Sequence, residues 1–241
     1  MTLRNFAVTT IALAALASTA LPALASGTNA GARVRVIHAS PDAPAVDVLV
    51  NGQLRLFQNV KFGDATSYAA VPANFYDVKV VPAGGGAGSA VIDADLNLGF
   101  YGTTTVIALD TLDRIAPLVL DDARFSVDQT VSPGSARLRF VHASPDAPAV
   151  DIKVANGPYL FRNVSFKGAT DYVLVPAGRV DLEVRAAGTE TVALNLNGLL
   201  IDAGSTYTAV ALGKLSGTPA LTAGLYKDAS NAPSILPRGR R

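Results

Sequence analysis

His38-Ala-Ser-Pro-Asp-Ala-Pro-Ala-Val-Asp47 returns letter for letter as His142 to Asp151, and the two copies hold both histidines of the chain. The flanking residues repeat as well. Arg33-Val-Arg-Val-Ile37 answers Arg137-Leu-Arg-Phe-Val141, and Leu56-Phe-Gln-Asn-Val60 answers Leu160-Phe-Arg-Asn-Val164. Gly63 to Tyr68 answers Lys167 to Tyr172, Val71-Pro-Ala73 answers Val175-Pro-Ala177, and Gly102 to Leu109 resembles Gly204 to Leu212. A period of about 100 residues is too long for a solenoid unit and has the size of a small domain. The spacing predicts two tandem domains of one fold, 32–126 and 136–228, joined by a linker over 127–135 that contains Ser132-Pro-Gly-Ser135. Residues 229–241, rich in Pro, Gly and Arg, read as a disordered basic tail.

Within each copy the apolar residues alternate with a period of two. Val34, Val36 and His38 fall on one face and Arg33 and Arg35 on the other, as do Leu138, Phe140 and His142 against Arg137 and Arg139. Val46, Val48 and Val50 oppose Asp47, and Val150, Ile152 and Val154 oppose Asp151. One apolar and one wet face is the pattern of a half-buried strand. Asn51-Gly52 and Asn156-Gly157 stand where hairpin turns are wanted, and Pro72-Ala-Asn74 and Pro176-Ala-Gly178 supply a second turn with Asn or Gly at a left-handed position. No later segment keeps a helical period. Short strands with turn signals about every ten residues predict an all-β fold, two tandem antiparallel β-sandwich (Ig-like) domains.

The run V-R-V-I-H-A-S-P-D-A-P-A-V-D-V, then N-G, L-F-x-N-V-x-F-G-x-A-T-x-Y and V-P-A-G, resembles a family of unknown function catalogued as DUF4397. The resemblance covers nearly all of both repeats. It implies secreted or envelope proteins, mostly bacterial, built from one or more all-β modules, and it brings no catalytic residue or ligand. The first copy departs from the pattern at Asn74, where the second has Gly178, and in an expanded loop over Ala83 to Ser89.

Residues 1–25 carry a single charge, Arg4, then an Ala- and Leu-rich stretch ending in Ala23-Leu-Ala25. That pattern predicts a secretory signal peptide cleaved near Ala25, and hence a periplasmic or cell-surface location. No cysteine follows to take a lipid anchor, and no later stretch is apolar enough to span a bilayer. With 20 basic and 19 acidic residues, and Arg4 removed, the mature chain is formally neutral, which argues against a nucleic-acid partner. Zero Cys excludes disulfides, thiolate catalysis and cysteine-bound metals.

The decapeptide holds the chemistry-bearing residues: His38, Asp42 and Asp47, and again His142, Asp146 and Asp151. A histidine near two carboxylates can ligate a metal or act as a base with an orienting acid. Strand parity favours a structural role. His38 faces inward, where it closes the core by a hydrogen bond to a carbonyl or carboxylate, while Asp47 projects outward; Ser40-Pro-Asp42 reads as a capped turn. Among weaker candidates, the Gly-rich loop after Pro82 lacks the Lys-Ser/Thr of a phosphate loop, and Asp93/Asp95 and Asp121/Asp122 read as solvated strand ends. Tyr68 and Tyr172 read as buried rings with hydroxyls bonded to backbone. No cofactor is expected. The function expected is a non-enzymatic envelope module, structural, adhesive or ligand-binding through loops at the sandwich ends, with cell-wall polysaccharide or envelope proteins as partners. An extracellular polymer-acting enzyme or a metal-binding protein using the HASPD motifs stays open.

Overall fold

The computed structural model describes residues 31–122, 131 and 133–228. The expected signal segment, most of the expected linker and the expected tail lie outside them. The first repeat contains β1 (Gly31–His38), β2 (Val46–Val50), β3 (Leu54–Val60), β4 (Ala69–Pro72), β5 (Asn74–Pro82), β6 (Ile92–Leu98), β7 (Thr103–Leu109) and β8 (Ala116–Asp121). The second contains β9 (Ser135–His142), β10 (Val150–Val154), β11 (Tyr159–Val164), β12 (Val173–Pro176), β13 (Gly178–Ala186), β14 (Val192–Ile201), β15 (Thr206–Leu212) and β16 (Thr222–Lys227). Each repeat forms two four-stranded sheets, ordered β4-β1-β7-β8 and β3-β2-β5-β6 in the first and β12-β9-β15-β16 and β11-β10-β13-β14 in the second. The chain is all-β, as the alternation requires. The pairing is antiparallel except at β1/β7 and β9/β15, which run parallel. An even number of strand reversals separates the members of each parallel pair, so both enter their sheet from the same end.

Inward side chains of the two sheets make one core per repeat, around Val34, Val36, Val48 and Val80 in the first and Leu138, Phe140, Ile152 and Val184 in the second. A third core forms between the repeats. Ile37, Ile107, Leu109 and Leu120 meet Val141, Val210 and Leu212, each with its side chain withdrawn from water. The sheet holding β1 therefore packs on the sheet holding β9, and the four sheets form a stack. This corrects the expectation that β1 and β9 turn a wet face outward: Arg35 and Arg139 lie buried on the covered face.

Local backbone needs place the remaining punctuation. Asn51 and Gly52 both adopt positive φ, +50° and +75°, matching the twist of the hairpin they close. At the second turn only Gly178 has positive φ; Asn74 does not, and it simply opens β5. The left-handed requirement expected at that turn is therefore absent from the first copy.

Candidate functional site

The decapeptide begins at the end of β1 and leads through a turn into β2. His38 has no exposed surface, and both ring nitrogens are engaged. Its Nε2 lies 2.9 Å from the Pro44 carbonyl oxygen, and the Ser40 amide donates to Nδ1 at 3.3 Å. One tautomer satisfies both contacts, the neutral ring with its proton on Nε2. His142 repeats the arrangement with Pro148 and Ser144 at the same distances. Burial pushes both histidine pKa values down, against the partly opposing bonds to Pro44 and Pro148.

Asp47 is not in solvent as strand parity suggested; it is 4 % exposed. β3 carries a bulge opposite it, because Val46 pairs with Val60 while Val48 pairs with Phe57. Asn59 in that bulge has φ +52°, a conformation Asn tolerates, and its amide has no strand partner there. The Asp47 carboxylate accepts that amide at 2.8 Å and the Gly84 amide of the β5–β6 connection at 2.9 Å, and it pairs with Arg55. Burial alone would raise its pKa, but these donors hold it below the usual carboxylate range. Asp151 does the same for Asn163 and Gly188.

Asp42 and Asp146 are the exposed carboxylates of the motif. Asp42 accepts the Leu112 amide at 2.8 Å, and Asp146 accepts those of Leu215 and Ser216 at 2.7 and 2.8 Å. Each ties its turn to the segment after the seventh strand of its repeat, and Asp146 also accepts the Ser144 hydroxyl of its own turn at 3.4 Å. The histidines, the inner aspartates and the outer aspartates thus answer to separate backbone groups. Among the described residues, no group of three or more His, Asp or Glu side chains is gathered to hold a metal ion.

Between the repeats lies a closed ring of six buried side chains that sequence reasoning missed. The Arg35 guanidinium pairs with Asp228, and its Nε donates to Thr105 Oγ1 at 2.9 Å. Thr105 donates to Asp122 at 2.5 Å, and Asp122 pairs with Arg139. Arg139 Nε donates to Thr208 Oγ1 at 2.9 Å, and Thr208 returns to Asp228 at 2.8 Å. Tyr68 and Tyr172 close the flanks. Their hydroxyls donate to Asp122 and Asp228 at 2.8 and 2.7 Å, and their rings lie 4.7 and 4.8 Å beneath Arg35 and Arg139. This corrects two expectations: the tyrosine hydroxyls bond carboxylates and not backbone, and Asp122 is a buried anchor and not a solvated strand end. Asp121, Asp93 and Asp95 are exposed. Burial beside a carboxylate pushes both phenol pKa values up.

The two cores differ in filling. In the second, Phe140 stacks on Phe161 with ring centroids 6.5 Å apart. In the first, Val36 stands at the place of Phe140, and a cavity of about 410 Å³ opens between the sheets, lined by Val36, Val48, Val78 and Leu96 among others.

A family profile described as "domain of unknown function (DUF4397)" matches residues 32–153 and 136–235. The chain belongs to the DUF4397 family. No curated protein matches this DUF4397 chain. Among solved structures it is similar to the TIE protein of Bacillus anthracis, at 11% identity and a TM-score of 0.25 over 77% of this chain and 34% of that one. It thus spans about a third of that protein. It is also similar to a family CBM26 module of Amy13K from Eubacterium rectale, solved with maltoheptaose (10% identity, TM-score 0.25, covering 83% of this chain and 98% of that one). A third likeness is to a candidate cell adhesion protein of Bacteroides fragilis (9% identity, TM-score 0.18, covering 82% and 98%). The ring of the DUF4397 pair had one signal in the sequence: Arg35, Tyr68, Thr105 and Asp122 have counterparts in Arg139, Tyr172, Thr208 and Asp228. Polar residues repeated on the face opposite the core mark a surface that something covers.

Proposed function

We propose that this protein is a non-enzymatic extracytoplasmic module, exported by residues 1–25 and presenting the loops at its sandwich ends to cell-wall polysaccharide or envelope proteins. The observation that carries this reading is the engagement of His38 and His142. A general base or metal ligand needs a free ring nitrogen facing a substrate or ion, and here both nitrogens of both rings are bonded to their own turns with no exposed surface. The buried polar ring between the repeats supports a spacing role, because it joins the sandwiches so that the end loops keep a set separation. The test is co-sedimentation of the purified protein with cell-wall polysaccharide, scored together with release of soluble sugar from it. Retention on the polymer without sugar release is expected; sugar release abolished by His38→Ala would overturn the reading. Mass analysis of the protein recovered outside the cytoplasm should find a chain beginning at Ser26, and an intact Met1 would refute the export proposal.

A further inference from the structure

The first sandwich departs from the second in three ways that meet at one end. Its core is under-filled. Val34, Val36, Val78 and Ala94 stand where the second copy, by strand register, has Leu138, Phe140, Leu182 and Leu196. The space left is the cavity of about 410 Å³, whose described lining is apolar in its depth and carries uncharged amides, Asn51, Gln53 and Asn74, at its rim.

The end where that rim lies also carries exposed apolar surface. Leu54 lines the opening and is 37% exposed. Asn74 pairs with Leu98 at the ends of β5 and β6, and beside this pair Phe75, Phe100 and Tyr101 are 71%, 68% and 78% exposed. By strand register, in which Thr103 matches Thr206, Arg179, Ala203 and Gly204 hold the matching places in the second copy.

Finally, Tyr101 has φ +58°, a left-handed conformation in which Gly204 sits at +74°. An exposed tyrosine held where glycine is favoured costs stability and fills no core, a combination that marks functional positions.

From the cavity, its rim and this strained aromatic we propose that the first sandwich binds the acyl chain of a single-chain lipid with an uncharged polar head, such as a monoacylglycerol. The slot follows β5 from Asn74 to Val80, about 20 Å at the rise of an extended strand. Its length and its apolar walls accept methylene groups along the whole path. The head remains at the rim, where Asn51, Gln53 and Asn74 offer hydrogen bonds and no charge calls for a counter-ion. Phe100 and Tyr101 stand in the β6–β7 turn at the same end of the sandwich, next to the rim residue Leu98.

The experiment titrates the purified protein with monomyristoylglycerol below its micelle concentration, by calorimetry and by methyl NMR. One equivalent is expected, with a negative heat-capacity change and shifts at Val36, Val48 and Val78 but not at Leu138 or Leu182. Val36→Phe, which installs the second copy's residue, should weaken binding by more than about tenfold and leave the melting temperature equal or higher. Should that variant fail to fold, Ala94→Leu closes the same slot from the facing sheet and makes the same test. Absence of binding, or binding unchanged in a folded slot-filling variant, overturns the proposal. Adsorption to phosphatidylcholine vesicles that persists in Val36→Phe would overturn it too, assigning the aromatics to a membrane surface. Wall-polymer retention is scored separately, so its failure and the failure of the lipid site are distinguishable.

Discussion

A histidine with no exposed surface, bonded at both ring nitrogens, is neutral in the folded chain and charged in the unfolded chain at low pH. His38 and His142 therefore set an acid limit. Their folded pKa values lie below the ordinary 6.5, so the unfolded chain takes up protons first as pH falls. The stability they contribute is complete above about pH 6.5 and is lost as pH drops below it. A second loss follows below the ordinary carboxylate value of 3.8, because Asp47, Asp146 and Asp151 have lowered pKa values in the fold. Chemical denaturation across pH should show two descending steps, and a flat profile between pH 7 and 5 would refute the histidine assignment. Replacing His38 by Ala strands the Pro44 carbonyl and the Ser40 amide. The expected cost is about 3 kcal/mol, a fall in melting temperature of roughly 6 to 12 °C for a chain of this size. An unchanged transition would show that the turn holds without the ring.

At the scale of elements, the decapeptide and the L-F-x-N-V strand are one device. The bulge in β3 frees an amide at Asn59, and Asp47 accepts it from the neighbouring strand. The same residues meet at Asp151 and Asn163, which explains why both halves of the pair recur with the repeat. Asp151→Ala leaves the Asn163 and Gly188 amides unpaired, at an expected cost of about 2 kcal/mol, measurable by urea unfolding with an unchanged slope. The β6–β7 turn behaves oppositely. Tyr101→Gly relieves a left-handed tyrosine and should raise stability by about 1 kcal/mol; a loss instead would mean that the ring packs on something in the folded chain. Strand periodicity and Asn-Gly turns were legible as local pattern. The bulge was not, since its signal is one Asn whose backbone freedom matters only once a carboxylate faces it.

The whole molecule is held by what lies between the repeats. Two Arg–Asp pairs bridged by Thr105 and Thr208 form a neutral ring, and every member has its hydrogen-bonding partners within it or beside it. Such a network is stable when complete and costly when cut, because one removal leaves a buried charge unpaired. Arg139→Met alone strands Asp122, and a loss of about 3–5 kcal/mol is expected. Adding Asp122→Leu should recover part of that loss, and a double variant no better than the single would refute the pairing. The apolar layer of Ile37, Ile107, Leu109, Val141 and Val210 couples the sandwiches as well. Calorimetry should record one unfolding transition for the chain. Two separable transitions would show that the interface contributes little.

The sequence by itself determined the fold class, the duplication and the inward place of His38 and His142, because alternation and repetition are written in neighbouring residues. It misplaced Asp47, Asp122, Arg35 and the tyrosine hydroxyls. The first three errors assumed that a polar residue pointing away from the core meets water. Only the tertiary structure decided otherwise, by stacking one sheet of each repeat on the other and by folding the β3 bulge over Asp47. Burial at such positions depends on which surface arrives to cover them, and no local periodicity encodes that arrival. The cavity in the first sandwich has the same origin: Val36 is an ordinary core residue until the opposing sheet shows how much space remains beside it.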